Sequence, residues 1–563
     1  MAESREQVAK REVGHTDIAP WLSRALTAVF LATLSVVPAL QTVYDIRQSR
    51  TGDRSSAVPQ AVDALRLPLV GLRAMSTAEG GPLERLFAAN REVLRTIHSY
   101  EDTLEERSLV GEWVRPHLQE PLTRILGVGN EQVYCGRSRW LFFRPAVDHL
   151  TGPGFLDQHQ LARRAAEGNE WQEPPQPDPL PAILEFRDQL GERGIELLIV
   201  PVPVKASIHP GLFSRRFAAA AKTVHNPSHD EFLTRLEVEG VRIFDPTSLL
   251  VDAAASTGEP QYLMTDTHWT PQAVDLVAQE LAATVRKTID LSKKNRARYS
   301  SKDAPVGNVG DLAEMLEIPE LFTTQTVHTA VVERSNGKPW QTARSAEVML
   351  LGDSFANIYS EEKLGWGADA GLAQRLSYHL RRPVDTLIRN DDGAFATRLL
   401  LSQEIEQSGD RLANTRVLIW EFTARELSVG DWRSIPMADA APNDIGFVVP
   451  AQGTAIVVEG TVAALADVPN PRTAPYADFI VGMHLVDLTS DRPLDGDQAL
   501  VFTWAMRKRR LTAGARYQVG QRLRLELRPW ADVTREFGSI TRGELFENDL
   551  FLQTPCWGTE VEP

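Results

Sequence analysis

Between residues 183 and 420, helical patterns alternate with short runs of apolar and β-branched residues. Strands are predicted at Glu196–Val202, Val241–Phe244, Glu347–Leu351, Thr386–Arg389 and Val417–Trp420. Helices are predicted at Ile183–Arg193, Glu231–Glu237, Ala273–Val285, Leu372–Leu380 and Phe395–Glu406. Such alternation places helices on both faces of a sheet, so it predicts an α/β domain with a parallel sheet. Residues 287–345 interrupt the pattern as an insertion.

Polar residues lie beside two of these segments, before a helix and after a strand. Asp266 and His268 lie two residues apart on a short loop, and Thr270 is the predicted N-cap of the next helix. Residues two apart in an extended loop point the same way, so Asp266 and His268 can converge on one pocket. Ser354 follows the apolar run Val348–Leu351, at the strand end where such sheets usually bind ligands.

These three side chains are the inventory of an acyl-transfer site. A serine hydroxyl is a weak nucleophile near neutral pH, so it needs a base, and the base needs a third group that fixes its tautomer. Ser354, His268 and Asp266 can fill those roles. The local sequence Leu351-Gly352-Asp353-Ser354-Phe355 is not the G-x-S-x-G elbow of α/β-hydrolases.

Five ordered segments resemble motifs of the alginate O-acetyltransferase family, AlgJ and AlgX type, whose members are SGNH-hydrolase-like proteins. They are Gly136–Phe143, Pro201–Pro210, Thr265–Pro271, Gly352–Phe355 and Trp420–Leu427. The first reads Gly-Arg-Ser-Arg-Trp-Leu-Phe where the family usually has Gly-Asp-Gly-Trp-Leu-Phe. The resemblance covers roughly residues 120 to 430 and implies a catalytic triad of Asp266, His268 and Ser354. Within the matching segments, Lys205, Trp269 and Arg425 are predicted substrate contacts.

Charge and cysteine content exclude several classes. The net charge of −15 argues against general nucleic-acid binding, and the basic run Arg507–Arg510 is predicted to be a solvated hairpin edge. Cys135 and Cys556 are too few for a disulfide framework or a cysteine metal site, and whether they pair is left open. His225 and His229 are predicted to lie on a surface loop. No metal and no cofactor are predicted.

The segment Ala25–Val43 contains 19 uncharged residues, which is long enough for a membrane span. It follows a long polar leader and exceeds the roughly 7–15 apolar residues of a signal peptide, so an uncleaved anchor is predicted. Basic residues flank the apolar segment on both sides, so their distribution barely indicates which end of the span faces the cytoplasm. The orientation is implied mainly by the family resemblance. The resemblance implies a single-pass inner-membrane protein whose catalytic body lies in the periplasm or otherwise outside the cytoplasm.

Four regions are predicted along the chain: a cytoplasmic tail and anchor at 1–45, a helical stalk or cap at 46–130, the SGNH-like domain at 131–435 and a β domain at 436–563. Period-two alternation in Arg522–Leu527 indicates that the last region is antiparallel. It is expected to bind carbohydrate acceptor, with most of its aromatic residues in the core. Those aromatics are Tyr476, Trp504, Trp530 and Trp557.

Three functions compete. The leading prediction is an O-acetyltransferase that modifies hydroxyls of an exported or cell-envelope polysaccharide through an acetyl-serine. The resemblance implies that a membrane-bound O-acyltransferase supplies the acetyl group. An esterase with the same triad is the first alternative, and a non-catalytic anchored scaffold of a polysaccharide export assembly is the second.

We predict that Ala25–Val43 remains attached to the mature chain, because its length suits a span better than a cleavable signal. N-terminal sequencing of the protein from the membrane fraction tests this. A mature chain that begins at Leu40, after the small residues Val37-Pro38-Ala39, would contradict it.

Overall fold

The structure is a computed structural model of the 563-residue chain. It describes residues 19–50, 67–77, parts of 81–97, 108–166, 175–217, 223–293, 295–390, 393–408, 411–437, 446–469 and, with short gaps, 471–561. The chain divides into two compact units, residues 1–114 and 115–563.

In the first unit, helix α1 spans Pro20–Arg50 and helix α2 spans Leu67–Thr77. The segment Pro20–Tyr44 of α1 is long and apolar enough to cross a membrane, and little of it is buried. Leu83 and Leu86, from the predicted stalk or cap, have helical backbone and exposed side chains. Much of that region lies outside the described residues.

Most of the described strands and helices precede residue 437, and the remainder follow residue 446. The strands are β1 Val133–Cys135, β2 Leu141–Phe143, β3 Glu196–Val202, β4 Arg242–Ile243, β5 Tyr299–Asn308, β6 Gln325–Arg334, β7 Val348–Gly352, β8 Asp385–Ile388, β9 Val417–Thr423, β10 Ile456–Leu465, β11 Phe479–Thr489, β12 Ala499–Arg507, β13 Arg510–Leu511, β14 Arg522–Pro529, β15 Arg542–Gly543 and β16 Cys556–Glu560.

The α-helices after α2 follow in chain order. They are α3 Leu109–Pro121, α4 Arg144–Thr151, α5 Gln158–Ala165, α6 Pro179–Glu192, α7 Lys205–Ile208, α8 Pro210–Phe213, α9 His229–Val238, α10 Thr247–Thr257, α11 Pro271–Thr288, α12 Asp311–Met315, α13 Ser354–Asn357, α14 Leu372–Leu380, α15 Ala396–Ser408, α16 Glu426–Val429 and α17 Trp530–Phe537.

The central sheet has five parallel strands in the order β4-β3-β9-β7-β8. All five residues of β7 and all seven of β9 are buried, as expected for strands covered on both faces. Two hydrophobic clusters lie on the two faces of this sheet. The prediction of a parallel sheet with flanking helices is confirmed, and the predicted bounds of β3 are those observed.

Helix α11 orients the loop that carries Asp266 and His268. Its first turn is capped by Thr270, whose hydroxyl accepts a hydrogen bond from Ala273 N at 3.3 Å, and Pro271 occupies the first helical position. One face of the helix is fully buried, so packing fixes its position. The buried residues are Pro271, Ala273, Val274, Val277, Ala278, Leu281, Ala282 and Val285.

The predicted insertion folds into an antiparallel hairpin, β5 and β6, with helix α12 in the connection. Gly310 precedes α12 with φ of 99°, and a Cβ atom there would lie 2.4 Å from Thr265 O. A side chain is therefore excluded where α12 approaches the loop of Asp266. The insertion lies against the predicted active site.

The C-terminal domain is a seven-stranded, mainly antiparallel sheet in the order β13-β12-β16-β14-β10-β11-β15, which confirms the predicted β domain. It contacts the α/β part directly: Ser539 Oγ donates to Glu361, with both carboxylate oxygens at 3.0 Å. Cys135 and Cys556 are not joined by a disulfide bond. Separate folding of this domain stays a prediction.

We predict that Gly352→Ala destabilises the protein. A Cβ at Gly352 would lie 2.7 Å from Ala356 Cβ and 2.8 Å from Glu421 Oε2, so the fully packed end of β7 would have to shift. The expected loss is about 1–3 kcal/mol of unfolding free energy, measured by urea denaturation in detergent.

Gly191→Ala is the matched control. Gly191 lies in α6 with no atom within 4 Å of a new Cβ, so this change should stabilise the helix by about 0.5–1 kcal/mol. Equal stability of Gly352→Ala and the wild type would show that the strand end is not tightly packed.

Candidate active site

The candidate site lies at the carboxyl ends of three neighbouring strands of the central sheet. Lys205 follows β3, Arg425 follows β9 and Ser354 follows β7. This edge is where open parallel sheets place their ligands. The sheet therefore presents side chains from distant parts of the chain at one place.

A network below Ser354 fixes the turn that carries it. Asp353 Oδ1 accepts a hydrogen bond from Phe355 N at 2.8 Å, which caps the short helix α13. Asp353 Oδ2 accepts from Thr423 N at 2.9 Å and from Thr423 Oγ1 at 2.7 Å. Glu421 Oε2 accepts from Asp353 N at 3.0 Å. Strand β9 thus holds the serine turn in place.

The structure brings the three predicted residues of the triad together. His268 Nδ1 lies 2.7 Å from Asp266 Oδ1, and His268 Nε2 lies 2.9 Å from Ser354 Oγ. Because Asp266 Oδ1 accepts a hydrogen bond from Nδ1–H, the neutral imidazole presents an Nε2 lone pair to the serine hydroxyl. Both bonds are within the range that proton transfer requires.

The second carboxylate oxygen of Asp266 is held by two donors that the sequence did not reveal. Asp311 N donates to Asp266 Oδ2 at 3.0 Å, and Trp366 Nε1 donates at 2.8 Å. His268 N adds a bond to Oδ1 at 3.0 Å. The carboxylate is buried, yet it is hydrogen-bonded on both oxygens and can remain charged.

The hydrogen-bonded pair of Asp266 and His268 shifts the two pKa values in opposite directions. Burial would raise the pKa of Asp266, but the hydrogen bond and charge of His268, with Trp366 Nε1, lower it to about 2. Burial would lower the pKa of His268, but the hydrogen bond and charge of Asp266 outweigh it, and the charges of Asp311 and Asp353 raise it further. The imidazolium form is therefore stabilised when His268 accepts a proton.

Asp311 places a second carboxylate beside the same imidazole. Its Oδ2 lies 3.8 Å from His268 Nδ1, and its Oδ1 accepts a hydrogen bond from Thr267 N at 2.8 Å. Burial and the negative charge of Asp266 raise the pKa of Asp311 to about 6. Asp311 comes from helix α12 of the insertion, which the sequence pattern marked only as an interruption.

Lys205 and Trp269, two of the predicted substrate contacts, are buried and donate hydrogen bonds to backbone carbonyls. The buried Lys205 ammonium donates hydrogen bonds to Leu141 O at 2.7 Å, Met264 O at 2.9 Å and Asp266 O at 2.9 Å. All three of its N–H groups are therefore occupied, and none remains to bind substrate. Trp269 is 0% exposed, and its Nε1 donates to Phe355 O at 2.9 Å. Their burial does not support the predicted contacts.

Arg425, the third predicted contact, does line the cleft that contains the triad. Its guanidinium is buried, and its Nη1 has no hydrogen-bond partner among the described residues. A buried donor without a partner is costly unless a ligand or water satisfies it. Arg425 therefore remains a proposed substrate contact.

The cleft has a volume of about 200 Å³, and the β domain forms part of its wall. Tyr476, Asp478, Arg509 and Thr541 are among the lining residues from that domain. The prediction that Arg507–Arg510 is a solvated edge is wrong for Arg509: its Nη1 donates to Pro471 O at 3.1 Å and Ala474 O at 2.9 Å. The other three basic residues are exposed.

Among the described residues, Asp266, His268 and Asp311 form a group whose nitrogen and oxygen atoms lie within 4.8 Å of one another. A cation there would compete with His268 for Asp266, so the arrangement is better explained by the hydrogen bonds above. His229 is buried at the start of α9 and not on a surface loop, and its Nε2 pairs with Asp245 Oδ2 at 3.0 Å.

Comparison with known proteins fits this geometry. Residues 133–424, just over half of the chain, match the family described as "ALGX: SGNH hydrolase-like domain, acetyltransferase AlgX". The chain belongs to this family. The match begins at β1 and ends directly after β9, so it contains the parallel sheet and all three residues of the predicted triad.

Curated relatives carry the name "Probable alginate O-acetylase AlgJ". The protein from Pseudomonas aeruginosa is 27% identical over 318 residues, which are 53% of this chain and 71% of the relative. The one from Pseudomonas fluorescens is 24% identical over 388 residues, 64% of this chain and 87% of the relative. The solved structure "O-Acetyltransferase Domain of Pseudomonas putida AlgJ" is 20% identical, covers 53% of this chain and 93% of its own, and has a TM-score of 0.39.

We predict that Asp311→Asn shifts the acid limb of the pH–rate profile to lower pH. Removing a negative charge 3.8 Å from the imidazole lowers the pKa of His268, so the neutral base persists at lower pH. The lost stabilisation of the imidazolium should reduce kcat by at most about tenfold. Glu314→Gln, in the same helix, is the control, since Glu314 does not determine the pKa of His268.

The Asp311→Asn substitution should raise the stability of the fold although it lowers kcat. A folded pKa of about 6, above the ordinary 3.8, means that the folded state binds the proton more tightly, so Asp311 lowers stability as pH rises through this window. Asp311→Asn should therefore raise Tm at pH 7 relative to wild type. A lower Tm with an unshifted acid limb would assign Asp311 to packing alone.

Proposed function

We propose that this protein is an O-acetyltransferase that transfers acetyl groups to hydroxyls of an exported or cell-envelope polysaccharide. The observation that carries the proposal is the position of His268, with Asp266 at 2.7 Å on one nitrogen and Ser354 at 2.9 Å on the other. The family match and the names of the curated relatives support acetyl transfer to a polysaccharide.

In the first half-reaction, Ser354 Oγ attacks the carbonyl carbon of the acetyl donor while His268 Nε2 takes the hydroxyl proton. Asp266 keeps Nδ1–H directed at itself and stabilises the imidazolium. The tetrahedral intermediate collapses, the bond to the leaving group breaks, and His268 returns its proton to that group. Acetyl-Ser354 remains.

The second half-reaction reverses these roles. A sugar hydroxyl in the cleft attacks the acetyl carbonyl while His268 Nε2 accepts its proton, and Ser354 Oγ leaves and is protonated by His268. Transfer to sugar and not to water requires an acceptor held in the cleft. The wall formed by the β domain supports that role. We further propose that the buried Arg425 Nη1 holds the acyl oxygen.

The helix Pro20–Tyr44 supports a single-pass anchor. We propose that it holds the enzyme at the inner membrane with the catalytic body outside the cytoplasm. A membrane-bound O-acyltransferase would then supply acetyl groups at the same surface. Loss of sugar acetylation in cells that lack such a partner, with retained activity on a soluble acetyl ester, would support this arrangement.

We predict that Ser354→Ala, His268→Ala and Asp266→Ala each lower turnover by on the order of 10³ or more, with double variants little worse than the single ones. A triad acts as one unit, so the losses should not add. The measurement is the rate of p-nitrophenol release from p-nitrophenyl acetate, with and without an oligosaccharide acceptor.

Thr265→Ser, a change in the same loop outside the triad, is the control for folding and should retain most of the activity. If acceptor does not accelerate turnover and no acetylated sugar forms, the protein is an esterase. If Ser354→Ala is folded and as active as wild type, the triad assignment is wrong.

A further inference from the structure

The ionisable side chains that line the triad cleft carry more negative than positive charge. Five carboxylates line it, from Asp266, Asp311, Glu314, Glu361 and Asp478. Three cations line it, from Lys363, Arg425 and Arg509. With His268 neutral, the five carboxylates exceed the three cations by two negative charges.

Two of the three cations hold the protein together across the cleft wall. Arg509 Nη1 donates to Pro471 O at 3.1 Å and to Ala474 O at 2.9 Å, and Lys363 Nζ donates to Glu536 O at 2.8 Å. The third, Arg425, is only 6% exposed. Among the described residues that line the cleft, Lys363 is the one cation with an exposed side chain, and the exposed Arg507, Lys508 and Arg510 lie outside the lining. The lining therefore has no row of exposed basic side chains that could track a chain of negative charges.

The carboxylates include groups that a ligand can reach. Glu314 is exposed, and the Asp311 side chain is 29% exposed. Asp478 is half-buried in the β-domain wall and accepts a hydrogen bond from Lys508 N on Oδ1. Carboxylates accept hydrogen bonds from neutral hydroxyls, whereas they repel other carboxylates at short range.

One aromatic residue of the β domain completes the cleft. The Tyr476 ring is half-buried, stacks on the Phe479 ring at a centroid distance of 5.7 Å with an interplanar angle of 14°, and lines the cleft. A braced ring beside hydrogen-bond acceptors suits a sugar, since a pyranose has an apolar face and a rim of hydroxyls.

We infer that the acceptor of this enzyme is a neutral polysaccharide and not a polyuronate. The inference rests on the proposed acetyl transfer and specifies its acceptor. The curated relatives are named for alginate, a polymer with a carboxylate on every sugar, and such a chain would bring further negative charge against Glu314, Asp311 and Asp478. A neutral sugar would instead donate hydroxyl hydrogen bonds to these groups and stack on Tyr476.

The test compares two acceptors that differ only at C6: β-1,4-mannotetraose and the corresponding tetramannuronate. The detergent-solubilised full-length protein is acetylated with p-nitrophenyl acetate, and kcat/KM for acetylated oligosaccharide is measured by mass spectrometry at low ionic strength. We expect mannotetraose to be preferred by at least about tenfold, with a smaller preference at high salt.

Glu314→Gln removes one charge from the cleft with little change in size and should reduce this preference about threefold or more. Glu320→Gln is the matched control, because Glu320 is exposed six positions further along and does not line the cleft. It should leave the preference unchanged.

Equal use of both acceptors, or preference for tetramannuronate, would overturn the inference. An unchanged preference in Glu314→Gln would also overturn it. If the wild type forms acetyl-enzyme but acetylates neither sugar, the acceptor inference falls and the acetyl-serine stands. If no acetyl-enzyme forms, the proposed function itself fails, and the acceptor inference falls with it.

Discussion

The hydrogen bond between His268 Nδ1 and Asp266 Oδ1 is the interaction on which the site depends. It leaves a charged carboxylate in the interior, with a pKa of about 2, and that charge is tolerated because both of its oxygens accept hydrogen bonds. The donors to the second oxygen come from Asp311 in the insertion and from Trp366 beyond β7. The triad is therefore complete only when three separate segments of the chain have assembled, which makes the insertion part of the site.

Lys205 joins backbone segments next to the triad. Its buried ammonium binds the carbonyl of Leu141 in β2 and two carbonyls of the triad loop, those of Met264 and Asp266, and so ties the first hairpin to the loop directly after β3. Burial lowers the pKa of Lys205 to about 7, while the charges of Asp266 and Asp311 oppose that shift. A motif lysine that resembles a substrate contact in sequence is thus a connector between backbone segments.

The local parts of the site could be predicted from the sequence because their signals are local. Alternating helix and strand patterns gave the parallel sheet, and Asp266 with His268 lies next to a capped helix. The partners of Asp266 could not be found this way, since Asp311 and Trp366 lie 45 and 100 residues away in sequence. The exposure of individual side chains could not be predicted either. Residue type alone does not show that the Trp269 side chain is inaccessible or that Arg509 lines the cleft. The exposure of a side chain depends on how the helices and strands pack against one another.

Ser354 is proposed to carry the acetyl group between the donor and the sugar. The most direct measurement is peptide mapping by mass spectrometry of protein mixed with an acetyl ester and quenched in acid before one turnover is complete. We expect one acetyl group, on the peptide that contains Ser354, and its loss when acceptor is added before the quench. An acetyl group on another residue, or turnover to acetylated sugar with Ser354 never modified, would show that Ser354 is not the carrier.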